Sequence, residues 1–290
     1  MKISGFTFIR NAVLYDYPIL EAIQSILPLC DEVVVAVGES DDDTLALIQS
    51  IPSDKIKILH TIWDDTLREG GRVLADETNK AFQAIAADSD WAFYIQGDEV
   101  VHEKYLDAIH RGMLRWKDDL SVDGLLFGYQ HFYGSYDYVG ESSTWYRREI
   151  RVIRSTKNIY SYRDAQGFRK GQNEKLRVKL IAAQIYHYGW VKHPKAMQKK
   201  QQTFQKLWHD DQWVKENVKP ADAFDYSNID ALRRFSDTHP QVMLPRIEQK
   251  NWAFEYDISR NNRSLKERIK NWIKEKTGWN IGEYRNYKLS

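Results

Sequence analysis

The hexapeptide Tyr94-Ile95-Gln96-Gly97-Asp98-Glu99 sets two carboxylates directly after an apolar run. A carboxylate there projects into the space beyond a strand end, where it could hold Mg2+ or Mn2+ against a diphosphate, because hard oxygen ligands suit hard cations. Asp98 could equally cap the next helix. A second acidic group, Glu39-Ser40-Asp41-Asp42-Asp43, also follows an apolar run. Glu39 and Asp41 could accept hydrogen bonds from a ribose or base, or the turn could cap a helix starting near Thr44. The opposite charge gathers elsewhere: Trp145 to Lys206 carries 16 Lys and Arg against Glu149, Asp164 and Glu174. Such a segment suits something anionic, either the acidic part of its own chain or a phosphate-bearing ligand. The chain holds 10 Trp, 17 Tyr and 11 Phe, many set among polar residues. Amphipathic rings of this kind suit platforms for sugars or bases as well as core packing.

These groups belong to a chain of 290 residues with net charge +1 and 42% hydrophobic residues. That composition describes a soluble folded protein with a sizeable core, and excludes disordered, collagen-like and disulfide-stapled chains. The near-zero charge conceals an asymmetry, with 11 basic and 22 acidic side chains in residues 1–120 against 31 and 19 thereafter. The longest apolar stretch, Val33 to Val37, falls far short of the roughly 18 residues of a spanning helix. Arg10 and Asp16 interrupt any signal-like N-terminus, and a lone Cys30 reads as a small buried hydrophobe, so the expected compartment is the reducing cytoplasm.

Regular alternation positions the acidic groups. Ile3 to Ile9, Asp31 to Val37, Lys55 to Ile62 and Trp91 to Ile95 read as strands, separated by helices after Asp16 (with Pro18 in the first turn), after Thr44 and over 71–87. A βαβαβαβ series implies an α/β fold, a mixed, mostly parallel sheet with helices on both faces, and ligands bind outside the carboxyl ends of such strands. A helix near Glu103 to Trp116 and strands near Gly124 to Tyr133, Tyr146 to Arg154 and Leu176 to Tyr188 follow. The remainder reads as helical, ending in a helix capped by Ser264 with Leu265, Ile269, Trp272 and Ile273 at helical spacing opposite a Lys-rich face. One domain over 1–192 is expected, with a donor half (1–103) and an acceptor half (104–192), and a helical C-terminal extension (193–290) packed on it.

The order of motifs resembles glycosyltransferase family 2 enzymes with the GT-A fold. The resemblance is carried by Phe6 to Asn11, by Glu32 to Thr44, by Asn79-Lys80-Ala81 and by Trp91 to Glu99. It implies a donor site for a nucleotide sugar formed by Phe8, Arg10, Asn11, Glu39, Asp41, Asn79, Gln96 and Asp98. Asp98 matches the family's metal-binding carboxylate and implies a divalent cation, Mn2+ or Mg2+, while Gln96 stands where the family's first Asp usually lies. In the later half the same comparison gives Asp164 as the general base of an inverting transfer, with Glu149 and Asp137 in reserve. His187 matches a histidine near the diphosphate, as metal ligand or phosphate donor; Lys192, His193 and Arg147 add charge for the leaving group. Trp145, Tyr146, Arg147 and Trp190 are expected to meet the acceptor, a saccharide or lipid-linked glycan.

Other readings stand beside this one, among them a degenerate transferase, to which the departure at Gln96 would belong. A nucleotidyltransferase also needs carboxylates and a metal, but would favour a Gly-rich basic loop that Ser4 to Asn11 lacks. An anion-binding module could engage RNA or a membrane surface through Trp145 to Lys206, although no nucleic-acid motif accompanies it and no nucleic acid is expected. The helix over 264–276 could dock its apolar face on the domain, or rest with Trp272 at a bilayer interface and place a cytoplasmic enzyme at the inner face of the membrane.

Overall fold

Val33 to Val37 can bury side chains on both faces of a strand only inside a sheet covered by helices. β2 (Glu32–Gly38) runs there, parallel to β1 (Ile3–Ile9) on one side and to β3 (Ile56–Thr61) on the other. β1 in turn pairs in parallel with β4 (Trp91–Tyr94). A computed structural model describes residues 1–67, 69–142, 144–209, 211–217, 221–259, 262–277 and 285–290.

Beyond β4 the sheet changes direction. β8 (Arg148–Arg154) lies antiparallel to β4, and β6 (Gly124–Tyr133) antiparallel to β8. The long β12 (Arg177–Trp190) then runs parallel to β6 and takes β5 (Glu99–Val101) antiparallel on its far side. β7 (Ser135–Gly140) returns along β6. A separate small sheet is made by β9 (Ile159–Tyr162), β10 (Gly167–Lys170) and β11 (Glu174–Lys175). The result is the mixed α/β sheet expected from the strand and helix pattern.

Period-two alternation sends the two faces of the sheet into two cores. Ile3, Ile9, Val33, Val35, Val37, Trp91 and Phe93 pack under α1 (Ile19–Ile26), α2 (Thr44–Gln49) and α4 (Leu106–Trp116). Phe6, Val34, Ala36, Ala92 and Tyr94 pack on the other face under α3 (Arg72–Gln83). Cys30 is buried in the first core. The entry to α1 differs from expectation. The helix starts at Ile19 with no side-chain cap, because Asp16 takes a left-handed backbone (φ 50°) and gives its carboxylate to Arg246.

The last hundred residues are not wholly helical. α5 (Pro194–Gln205), α6 (Asp211–Asn217), α7 (Leu244–Glu248) and α8 (Leu265–Thr277) are joined by β13 (Leu232–Arg234), which extends the main sheet beside β7, and β14 (Lys288–Leu289), which pairs with β12. Residues 278–284 of this segment lie outside the described residues. No helix among the described residues is long and apolar enough to cross a membrane.

Candidate functional site

The carboxyl ends of β1, β3 and β4 open onto a cavity of about 1440 Å3 that reaches across β6, β8 and β12. The acidic pair after β4 divides its labour. Glu99 is fully buried and its carboxylate accepts from Arg151 Nε and Nη2 (2.7 Å each), from the Tyr129 hydroxyl (2.7 Å) and from the Gln96 backbone N–H (3.1 Å). Its acceptor capacity is spent on holding the loop, leaving Asp98 to face the cavity.

Asp98 meets a basic wall. Lys200 Nζ stands 3.3 Å from Oδ2, and His187 Nε2 stands 3.7 Å from Oδ1. Burial alone would raise the Asp98 pKa, but Lys200, then His187 and Lys192, outweigh it and hold the group at about 2. The approach is close enough to require glycine at 189, since a Cβ there would lie 2.6 Å from Asp98 Oδ2 and 2.7 Å from His187 Nε2.

The proton inventory of the two histidines follows from their partners. His131 and His187 are directly opposite each other on β6 and β12, with their Nδ1 atoms 3.1 Å apart. Burial lowers the pKa of both, so both imidazoles are neutral at pH 7. His131 Nε2 lies 2.7 Å from the Tyr146 carbonyl oxygen and so carries the proton. His131 Nδ1 is then an acceptor, His187 Nδ1 donates to it, and His187 Nε2 is left with a lone pair beside Asp98.

That lone pair fits the cation implied by the family resemblance. Among the described residues no three His, Cys, Asp or Glu side chains converge on one point. Mg2+ and Mn2+, however, are often bound by one or two protein ligands with the remainder supplied by phosphate and water. Asp98 and neutral His187 could supply two such ligands, while Gln96, which also lines the cavity, has its amide nitrogen engaged elsewhere. The Gln96 amide instead donates to the Ala165 carbonyl (3.2 Å) and to the Tyr94 hydroxyl (3.3 Å).

The Ala165 contact leads to Asp164. This residue sits in the turn between β9 and β10, where Arg163 (φ 56°) and Ala165 (φ 61°) both adopt left-handed backbone, a conformation that surrounding contacts must hold. Gln96 holds the Ala165 carbonyl and Arg151 Nη1 the Gln166 carbonyl (3.1 Å), so the two residues after Asp164 are tied, one to the loop after β4 and the other to the β8 arginine that Glu99 of that loop holds. Asp164 lines the cavity, and burial raises its pKa. Glu149 also lines it, with its Oε2 buried and without a hydrogen-bond partner. Asp137 is drawn away to Lys250 (3.7 Å) and Ser135.

Of the expected donor residues, Phe8 and Arg10 line the cavity, and Arg10 stacks on Trp63 with its guanidinium 4.4 Å from the ring centroid. Asn11, Glu39 and Asp41 do not line it. Asn11 exchanges hydrogen bonds with Asp41 (2.8 Å from the Asp41 N–H, 3.3 Å to its carboxylate), Glu39 is exposed, and Asp42 accepts from Thr44 N–H at the start of α2. Apart from exposed Glu39, the acidic turn is thus engaged with the loop after β1 and the start of α2. Asn79 spends both ends of its amide on the Ser161 backbone and pins β9 to α3. Lys192 is fully buried, donates to the Asp16 carbonyl and lies 4.5 Å from the Tyr17 ring centroid, so of these two lysines it is Lys200, on α5, that lines the cavity.

At the acceptor end Trp145, Tyr146, Arg147 and Trp190 all line the cavity. Trp145 stacks on His131 at 5.1 Å, Tyr146 sets its edge on the same ring at 4.4 Å, and Trp190 meets Trp145 edge-on at 6.3 Å. Trp63 follows the third strand at the carboxyl-end position where such sheets bind ligands, whereas no motif marks His131 or Lys200. Lys200 did carry a signal, falling three residues after Met197 on the inward face of its helix, which Lys199 does not share.

No family model matches the chain, and no curated protein does. Among solved structures, Staphylococcus aureus TarS aligns over 70% of this chain and 39% of its own, at TM-score 0.43 and 14% identity. TarS 1-349 in complex with UDP aligns over 77% and 68%, at TM-score 0.42 and 14% identity. Glucosyl-3-phosphoglycerate synthase from Mycobacterium tuberculosis, in complex with Mn2+, UDP and phosphoglyceric acid, aligns over 46% and 43%, at TM-score 0.29 and 18% identity. This chain spans well under half the length of the first TarS chain.

Proposed function

We propose that the chain is a GT-A-type glycosyltransferase of the family 2 kind. It would transfer a hexosyl or related residue from a nucleoside diphosphate sugar, with inversion, to a saccharide or lipid-linked acceptor in the cytoplasm during surface-glycan synthesis. One observation carries the reading: Asp98, the Nε2 of His187 and the Lys200 ammonium converge on one wall of the cavity that Asp164 also lines.

The chemistry divides along the cavity. Phe8, Arg10 and Trp63 offer faces for the nucleoside, and Lys200 stabilises the negative charge of the departing diphosphate. Trp145 and Trp190 hold the acceptor sugar against their rings. The acceptor hydroxyl oxygen bonds to the anomeric carbon as the bond from that carbon to the phosphate oxygen breaks. Asp164 takes the hydroxyl proton, and the nucleoside diphosphate leaves with the bonding pair. A divalent cation held by Asp98 and His187 would add Lewis-acid stabilisation of the diphosphate.

Calorimetric titration with UDP, GDP, CMP and dTDP, each with and without Mn2+, tests the donor site. Micromolar binding of one nucleotide is expected, strengthened by metal and lost in Asp98→Asn. Lys200→Gln should weaken that binding and lower transfer by roughly 10²–10³, the range for removing one group that stabilises developing negative charge. Asp164→Asn should bind the donor normally and fail to turn over. Absence of nucleotide binding under every condition, or full turnover in Asp164→Asn, overturns the assignment.

A further inference from the structure

Helix α8 is turned against the usual pattern of a surface helix, which buries its apolar stripe. Its Lys270 borders the cavity and its Glu267 is half-buried, whereas Leu265, Ile269 and Trp272 are 78%, 60% and 61% exposed. The i, i+4, i+7 spacing puts these three on one side, and Arg268 and Lys276 are exposed on or beside the same side. The helix is nonetheless anchored at its root. The Ser264 hydroxyl accepts from Glu267 N–H (3.3 Å), Arg263 Nη2 reaches Glu141 Oε2 (2.8 Å), and Asn262 N–H reaches the Asp230 carbonyl (3.0 Å).

We infer that α8 seats this chain on an anionic lipid surface, with Leu265, Ile269 and Trp272 entering the headgroup boundary and Arg268 and Lys276 meeting lipid phosphates. Three considerations select this occupant. Thirteen residues make a helix of about 20 Å, too short to span a bilayer but suited to lying in its interface. The helix sequence holds five basic and two acidic residues, and Arg268 and Lys276 stand on or beside the exposed apolar side, where basic side chains are drawn to anionic headgroups. A second copy is disfavoured, because a two-fold interface would press this face against itself and gather Arg268 and Lys276 of both copies at one seam.

Glu141, which holds the root of α8, lines the cavity together with Lys270 and Trp145. Docking through α8 therefore brings the acceptor end of the cavity towards the lipid surface. On the transferase reading, and only on it, this makes the acceptor a glycan carried by a membrane lipid.

Co-sedimentation with phosphatidylcholine vesicles, with and without phosphatidylglycerol, tests the anchor independently of catalysis. Binding is expected only to the anionic vesicles, to weaken with added salt, and to fall at least tenfold in L265S/I269S/W272S and several-fold in R268Q/K276Q. Thermal melting and nucleotide titration of both variants should match the parent chain. The inference is overturned if the parent chain does not bind anionic vesicles, if the serine variant binds them equally well, or if sedimentation equilibrium shows a dimer that the serine substitutions abolish. Nucleotide binding that fails while vesicle binding stands would remove the transferase reading and leave the anchor in place.

Discussion

A carboxyl group buried beside other carboxyls gives up its proton late, and Glu149 is such a group. Burial, with the charges of Glu99 and Asp164, pushes it up to about 8 against the opposing pull of Arg151 and Arg169. At pH 7 Glu149 is therefore largely protonated and a poor acceptor of a further proton, and Asp137 lies outside the cavity, which supports Asp164 as the base of the proposed transfer. The linkage has a definite sign. A carboxyl raised in the folded state binds a proton that the unfolded chain has released, so its contribution is fully present below the ordinary carboxylate range and is lost as pH rises through about 8. Glu149→Gln removes the titration while keeping the shape. Melting temperatures at pH 6 and pH 9 should therefore differ less in the variant than in the parent chain, and an equal difference would mean that Glu149 ionises normally.

At the level of elements, the short contact from Gln96 to the Ala165 carbonyl joins the loop after β4 to the turn that carries Asp164. Loss of one such hydrogen bond is worth about 1 kcal/mol, and here it frees a turn with two left-handed residues. Gln96→Ala should consequently lower kcat about tenfold while leaving the dissociation constant of the nucleotide within about twofold. Equal losses in both would place Gln96 on the donor itself. The parallel strands and their helices were legible because their patterns are local: Val33 to Val37, rich in β-branched residues and bounded by polar turns, reads as an inner strand, and β6 has the bounds its strand-like run predicts. β13 and β14 were not legible, since Leu232-Arg233-Arg234 and Lys288-Leu289 become strands only by pairing with distant partners. The same limit explains the site. Asp98 follows its strand directly, but the choice of Lys200 over Lys192 depends on how α5 packs, and the meeting of His131 with His187 depends on the register of β6 and β12.

Across the whole molecule, the acidic first part of the chain and the basic later part meet in ion pairs that cross the sheet and its loops: Asp98 with Lys200, Asp16 and Glu21 with Arg246, and Glu99 with Arg151. The last of these is fully buried at both ends and fixes the geometry of both the donor loop and the Asp164 turn. A buried pair of this kind adds little net stability, because desolvation offsets attraction, yet removing one member strands the other as an uncompensated charge. Arg151→Met should then destabilise the fold by about 3–5 kcal/mol, lowering Tm by roughly 10 °C for a chain of this size. The double variant Arg151→Met/Glu99→Met, with no charge left to strand, should recover much of that loss in a calorimetric melt. It should not recover turnover, because neither methionine can hold the Gln96 N–H or the Gln166 carbonyl. If the double variant melts no higher than the single one, the pair stabilises the fold by direct attraction. If turnover returns with stability, the buried pair has no part in positioning Asp98 and Asp164.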